Sequence, residues 1–219
     1  MTTEEFFDPI WLSVQIAAAS GTLAIILGTV AGYWMSRTFF KGKVIVETLF
    51  MMPLVLPPTV VGFLLLIIFG KHSLIGKAIE WLFHQPVIFT WWAAVIASTI
   101  VAFPLMYQSA KAGFSTIDTD IEGAAKVDGA SQLQVFVFIT IPLAISALLS
   151  GAVLSIARAL GEFGATLMFA GNIPGKTQTL PTAIYVAIDS GRMELAWTWT
   201  ICIVILSFLM LLAVRARHV

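Results

Sequence analysis

Five long apolar runs alternate with short polar intervals along the 219-residue chain, at residues 9–36, 48–70, 85–110, 129–157 and 195–214, and none carries a charge. Each reaches the ~20 residues that a spanning helix needs. The pattern predicts an all-α integral membrane chain, one transmembrane domain over 1–219, with spans near 10–35, 48–70, 88–110, 134–158 and 195–215. Between the last two spans lie apolar pieces at 163–170 and 180–188, too short to cross a core about 30 Å thick. They read as re-entrant or interfacial helices; a sixth crossing is the alternative.

Within the runs the small residues and prolines have meaning. Ala17, Gly21, Ala24, Gly28 and Gly32 recur every three or four residues, a helical stripe that allows close approach of another helix, within the chain or across a dimer. Pro53 and the pair Pro57-Pro58 interrupt the second run, predicting a broken helix and a candidate pathway liner. Trp91 and Trp92 sit where interface anchors belong, with Pro104 further along that span. Residues 71–86 read as a mixed-charge loop, and His72 and His84 match no local metal spacing.

The polar interval from Asp118 to Pro142 is more specified than a connecting loop requires. Thr119-x-x-Glu122 and Ser131-x-x-Gln134 are both capping-box patterns, and Gly129 stands where a helix C′ residue is wanted. The expectation is a helix of about nine residues, a tight turn, and a second helix running into the fourth span. A helix that short is marginal alone, and the small face at Gly123, Ala124 and Ala125 would admit a docking surface.

Composition agrees with the membrane reading: 59% of residues are hydrophobic and 11% charged, against roughly 25% charged in soluble domains. Net charge is zero, with no basic patch for nucleic acid. The acidic leader (Glu4, Glu5, Asp8) and the length of the first run argue against a cleaved signal peptide. Cys202, the single cysteine, excludes an intrachain disulfide and reads as a packing residue. With five spans and the N-terminus outside, cytoplasmic Lys and Arg (Arg37, Lys41, Lys43, Lys111, Lys126, Arg215, Arg217) outnumber external ones (Lys71, Lys77, Lys176, Arg192), as the positive-inside rule asks. One more crossing would put Arg215, Arg217 and His218 outside.

Ala124-Ala125, three residues, Gly129, nine residues, then Ile139-x-Ile141-Pro142 resembles the EAA signature of ABC importer permeases, the cytoplasmic loop that engages the ATPase. The signature's Glu position falls on Gly123, with Glu122 one residue earlier, and Ile141 stands for the usual Leu. Arg158-Ala-Leu-Gly161-Glu162-Phe-Gly-Ala-Thr166, Gly171-Asn-Ile-Pro-Gly175, Thr179-Leu-Pro181 and Pro53-Leu-Val-Leu-Pro57-Pro58-x-Val-Val-Gly62 are similar to the sulfate/molybdate branch, most like its molybdate/tungstate members. The resemblance implies an ABC type I importer permease fold with a cytoplasmic coupling helix in a coupling loop over 113–133. It also implies a multi-pass chain of the cell's inner membrane that pairs as a homodimer. Its expected partners are two cytoplasmic ATPase subunits, an extracytoplasmic oxyanion-binding protein and membrane lipid, with ATP and Mg held by the ATPase and no cofactor in this chain. Thr119, Glu122, Gly123, Ala124, Ala125, Asp128 and Gly129 are then the expected ATPase-docking residues. Pro57, Pro58, Pro104, Pro142, Arg158, Gly161, Glu162 and Thr166 are the pathway or gate candidates. A sulfate/thiosulfate permease is the alternative reading.

Arg158 and Glu162 stand four apart and can pair on one helical face; charge at membrane depth marks either an ion pair that orients a helix end or a gate. The run from Gly171 to Thr177 imitates a phosphate-binding loop but has three residues between its glycines where four are needed. The chain is therefore expected to draw energy from a separate ATPase. A membrane enzyme would need a nucleophile and base pair that the sequence lacks; a secondary transporter would need a carboxylate relay, for which only Glu162 comes close.

Overall fold

The computed structural model describes residues 3–215; Arg217 and His218, invoked in the topology, lie outside them. Among the described residues there are eleven α-helices, one π-helical turn and no strand. In order they are α1 (Thr3–Arg37), α2 (Lys43–Val55), α3 (Pro58–Phe69), α4 (Leu74–Phe83), α5 (Trp91–Ser115), α6 (Thr119–Val127), α7 (Gln132–Val135), the π turn (Phe136–Thr140), α8 (Ile141–Leu160), α9 (Gly164–Ala170), α10 (Leu180–Asp189) and α11 (Met193–Arg215). α1, α5, the run from α7 through α8, and α11 are each long and apolar enough to cross a membrane; α2 and α3, bent by 116° at their junction, pass the same test together, as a broken span or a re-entrant pair.

α5 is the axis of the bundle, buried along most of its length. α1 lies parallel to it: a Cβ at Gly28 would sit 2.7 Å from the Met106 Cβ, and one at Gly32 2.7 Å from the Ala110 Cβ. The small-residue stripe therefore serves packing inside the chain. α8 runs antiparallel, with Ser155 Oγ donating to the Ala102 carbonyl at 3.2 Å. α2 climbs from the Glu47–Lys111 ion pair, 2.6 Å, to ring contacts of Phe50 with Phe103 and Tyr107. α3 completes the return, its Phe69 meeting Phe169, whose carbonyl accepts the Phe89 amide just before α5.

In the 163–194 segment α9 has 7 residues and α10 has 10, each too short to cross a membrane alone. The Leu180 amide donates to Ser13 Oγ at 2.7 Å, and Trp199 Nε1 donates to the Phe6 carbonyl at 3.1 Å. α10 thus lies at the end of the bundle where α1 begins, and Phe169 of α9 meets the residues just before α5.

Three local expectations change. The loop expected at 71–86 contains α4, whose start Ser73 fixes by accepting the Gly76 amide at 2.8 Å; a cap outweighs a mixed-charge composition. Pro53 does not break α2, which continues to Val55; the interruption falls at 56–57, before the Pro58 that opens α3. The expected second helix does not run straight into the fourth span: a π turn precedes Pro142 and ends with the Ile141 amide bonded to the Phe136 carbonyl. Pro142, with no amide of its own, falls where the register returns to α.

Candidate functional site

The N-cap of α6 falls one residue before the expected Thr119, which becomes the first residue of the helix. Asp118 is the N-cap, its carboxylate accepting the Asp120 amide at 3.0 Å. The box expected between Thr119 and Glu122 does not form. Glu122 turns inward, where its Oε1 accepts from Arg37 Nη2 at 2.6 Å and from Thr140 Oγ1 at 2.8 Å. A cation and a buried hydroxyl make stronger partners for a carboxylate than a solvated amide does. Glu122 is 7% exposed and Thr140 fully buried.

The other end of α6 follows the sequence reading. Gly129 has φ +94°, its amide donates to the Lys126 carbonyl at 3.1 Å, and the Ala130 amide to the Ala125 carbonyl at 3.0 Å, the paired bonds of a left-handed helix stop. Ser131 and Gln134 form the second capping box, at 2.8 and 3.3 Å. Thr119, Ala124, Asp128 and Gly129 are exposed and Gly123 and Ala125 half-buried; no atom lies within 4 Å of a Cβ built at Gly123. Val127 and Leu133, 88% and 71% exposed, stand bare beside this small-residue surface. Large apolar side chains on an otherwise polar end mark a place for a partner.

The second constellation lies at two helix breaks that touch. A Cβ at Gly164 would come within 3.1 Å of the Pro58 Cβ and of the Thr59 amide, so α9 begins against the α2–α3 junction, where Pro57 is exposed. α8 stops at Leu160 with exposed Gly161 as its cap. Glu162 follows, 2% exposed; Oε2 pairs with Arg158 Nη1 at 2.7 Å and Oε1 accepts the Ala165 amide at 2.8 Å. The pair expected on one helical face thus bridges the end of α8 and caps α9. Thr166 is fully buried in α9, and its hydroxyl has no hydrogen-bond partner among the described residues. Pro104 is buried within α5, and Pro142 is exposed beside the π turn.

In the loop that imitates a phosphate cradle, the amides of Lys176, Thr177 and Gln178 all donate to the Ile173 carbonyl, at 2.9–3.1 Å. Amides so tied do not face a ligand. Sequence reasoning missed Arg37 and Thr140 as partners of Glu122; at separations of 85 and 18 residues no local spacing joins them.

Four long apolar helices and one bent pair around a buried axis, with a capped, exposed short helix at one end, have the architecture of a membrane-spanning permease. The chain matches the family described as the binding-protein-dependent transport system inner membrane component over residues 24–217, and belongs to it. It is 68% identical over 217 residues to YvgM of Bacillus subtilis (strain 168), covering 99% of this chain and 96% of that one. It is 38% identical over 187 residues to the molybdenum transport system permease protein ModB of Escherichia coli (strain K12), covering 84% of this chain and 82% of that one. Among solved structures, a bacterial ABC transporter that imports the acidic polysaccharide alginate aligns with TM-score 0.78 at 14% identity, covering 99% of this chain and 79% of that one. The MetNI methionine ABC transporter, in an inward facing conformation, aligns with TM-score 0.71 at 17% identity, covering 99% of each. At such identities these structures establish the fold, that of ABC type I importer permeases.

Proposed function

We propose that this chain is the permease subunit of an ATP-driven importer for a tetrahedral oxyanion, molybdate or tungstate, and that two copies form the pathway between them. The observation that carries the proposal is the α6 end of the bundle. A short helix with a bare small-residue face, capped at both ends and joined to a span through the Gly129 turn, is suited to receive force from a separate subunit. Thr119, Gly123, Ala124, Ala125, Asp128 and Gly129 supply that face. Relatives named for molybdenum transport support the substrate class, and the kinship with binding-protein-dependent systems supports an extracytoplasmic binding protein as a further partner. The α6 end faces the cytoplasm and the start of α1 faces outward, the orientation that the bias of basic residues supports. ATP and Mg belong to the ATPase. Closure of two ATPase subunits moves α6, and the bent α2–α3 pair and the corner between α8 and α9, which meet at Pro58 and Gly164, convert the displacement into alternating access. Arg158 lies at this junction with its side chain 29% exposed and its charge balanced by Glu162, an arrangement that attracts a dianion without trapping it.

The test is uptake by proteoliposomes holding this chain, its ATPase and its binding protein. ATP-dependent molybdate uptake, competed by tungstate and weakly by sulfate, is expected. Flux through the chain alone without ATP would indicate a secondary transporter, and uptake of sulfate in preference would assign the alternative substrate.

A further inference from the structure

We propose that Glu122 is an inward positioning residue which, with Arg37 and Thr140, ties α6 to two spans at once; this rests on the permease reading above. The three side chains come from three places: the last residue of α1, the first turn of α6, and the last residue of the π turn that enters α8. One oxygen of Glu122 receives both donors, at 2.6 and 2.8 Å. The carboxylate therefore faces the bundle while Ala124 and Val127 of the same helix face outward.

The tie changes how motion can pass. Without it, α6 joins α8 only through the turn at Gly129, where nothing lies within 4 Å of a built Cβ and a push would be lost in bending. With it, neither charge can be left alone in a poorly solvated pocket, so the end of α1 and the π turn must follow α6. The π turn is the compliant link, because its wider hydrogen-bond register is seldom sustained and Pro142 offers no amide to reset it. Arg37 uses Nη2 on Glu122, while its Nε is buried with no hydrogen-bond partner among the described residues. That spare donor lets the pair re-form as α6 shifts, so the joint slides without parting.

In the complete transporter in proteoliposomes, Glu122→Gln, Arg37→Gln and Thr140→Val are compared with the exchange Glu122→Arg/Arg37→Glu. Three quantities are read: ATPase captured per permease, ATP hydrolysis, and molybdate imported per ATP. Capture and hydrolysis should stay at the unmodified level in every variant. Import per ATP should fall on the order of tenfold in the Gln variants, within the 5–150-fold span usual for coupled sites, and less in Thr140→Val; the exchange should recover most of it. Loss of ATPase capture would make Glu122 a direct ATPase contact and overturn the proposal. Unchanged import per ATP, or a loss that the exchange does not relieve, would also overturn it. Should the Gln variants fail to accumulate in the membrane, Thr140→Val decides alone, since it removes one hydroxyl at nearly constant volume: undiminished coupling there is fatal to the tie. Failure of the unmodified chain to capture any ATPase would instead remove the permease reading.

Discussion

Among the described residues two carboxylates are buried, each paired with an arginine, and they are built in opposite ways. Glu162 is a local device: its arginine lies four residues back and the amide it accepts three residues ahead. Glu122 is a long-range device, reaching Arg37 across 85 residues and Thr140 across 18. The first sets the angle between two successive helices where α8 ends and α9 begins. The second holds three separate elements together at the end where the proposed ATPase docks. A local pair fixes geometry, whereas a distant pair couples motions; the same chemistry serves a rigid corner in one place and a transmission joint in the other.

This contrast can be pressed by substitution, beginning with the largest effect. Glu162→Ala leaves Arg158 unpaired and α9 uncapped. Breaking a buried pair costs about 3–5 kcal/mol, and the partial exposure of Arg158 places the loss near about 3 kcal/mol, read as a drop in thermal unfolding midpoint in detergent. Glu122→Ala should cost about 2 kcal/mol by orphaning Arg37 and Thr140; a larger loss than at Glu162 would reverse the ranking of corner over joint. Gly129→Val forces a β-branched residue into the left-handed region at about 1–2 kcal/mol. Open space around its Cβ makes that penalty conformational alone, so insertion should survive while molybdate import per ATP falls. Gly129→Asn, which tolerates this backbone, should restore it. Ser131→Ala removes one cap and should cost about 1 kcal/mol or less, visible in hydrogen exchange of α7 with transport retained.

The same contrast separates what the sequence made legible from what it did not. The spans followed from uncharged length, the Gly129 stop and the Ser131 cap from turn chemistry, and the Arg158–Glu162 pair from helical spacing; each signal lies within a few residues. Glu122 was read as a cap partner of Thr119 because only local partners are visible in a sequence, and a cation 85 residues away won. The α4 helix was hidden by charges that mimic a loop, although Ser73 is a fair start signal. The π turn had only Pro142 to announce it, and a proline predicts an irregularity without saying which kind. That the small-residue stripe of α1 serves α5 within the same chain depends on tertiary register, which spacing alone does not carry.

The central claim is that α6 is the surface through which a cytoplasmic ATPase drives this permease. The most direct measurement is cross-linking in the assembled transporter, in a Cys202→Ser background, from a single cysteine placed at Ala124 and, as the control, at Trp92 on the opposite end. The account predicts an efficient cross-link to the ATPase from position 124, varying with nucleotide, and none from position 92. A transporter that imports molybdate with ATP yet gives no cross-link from position 124 in any nucleotide state would contradict it.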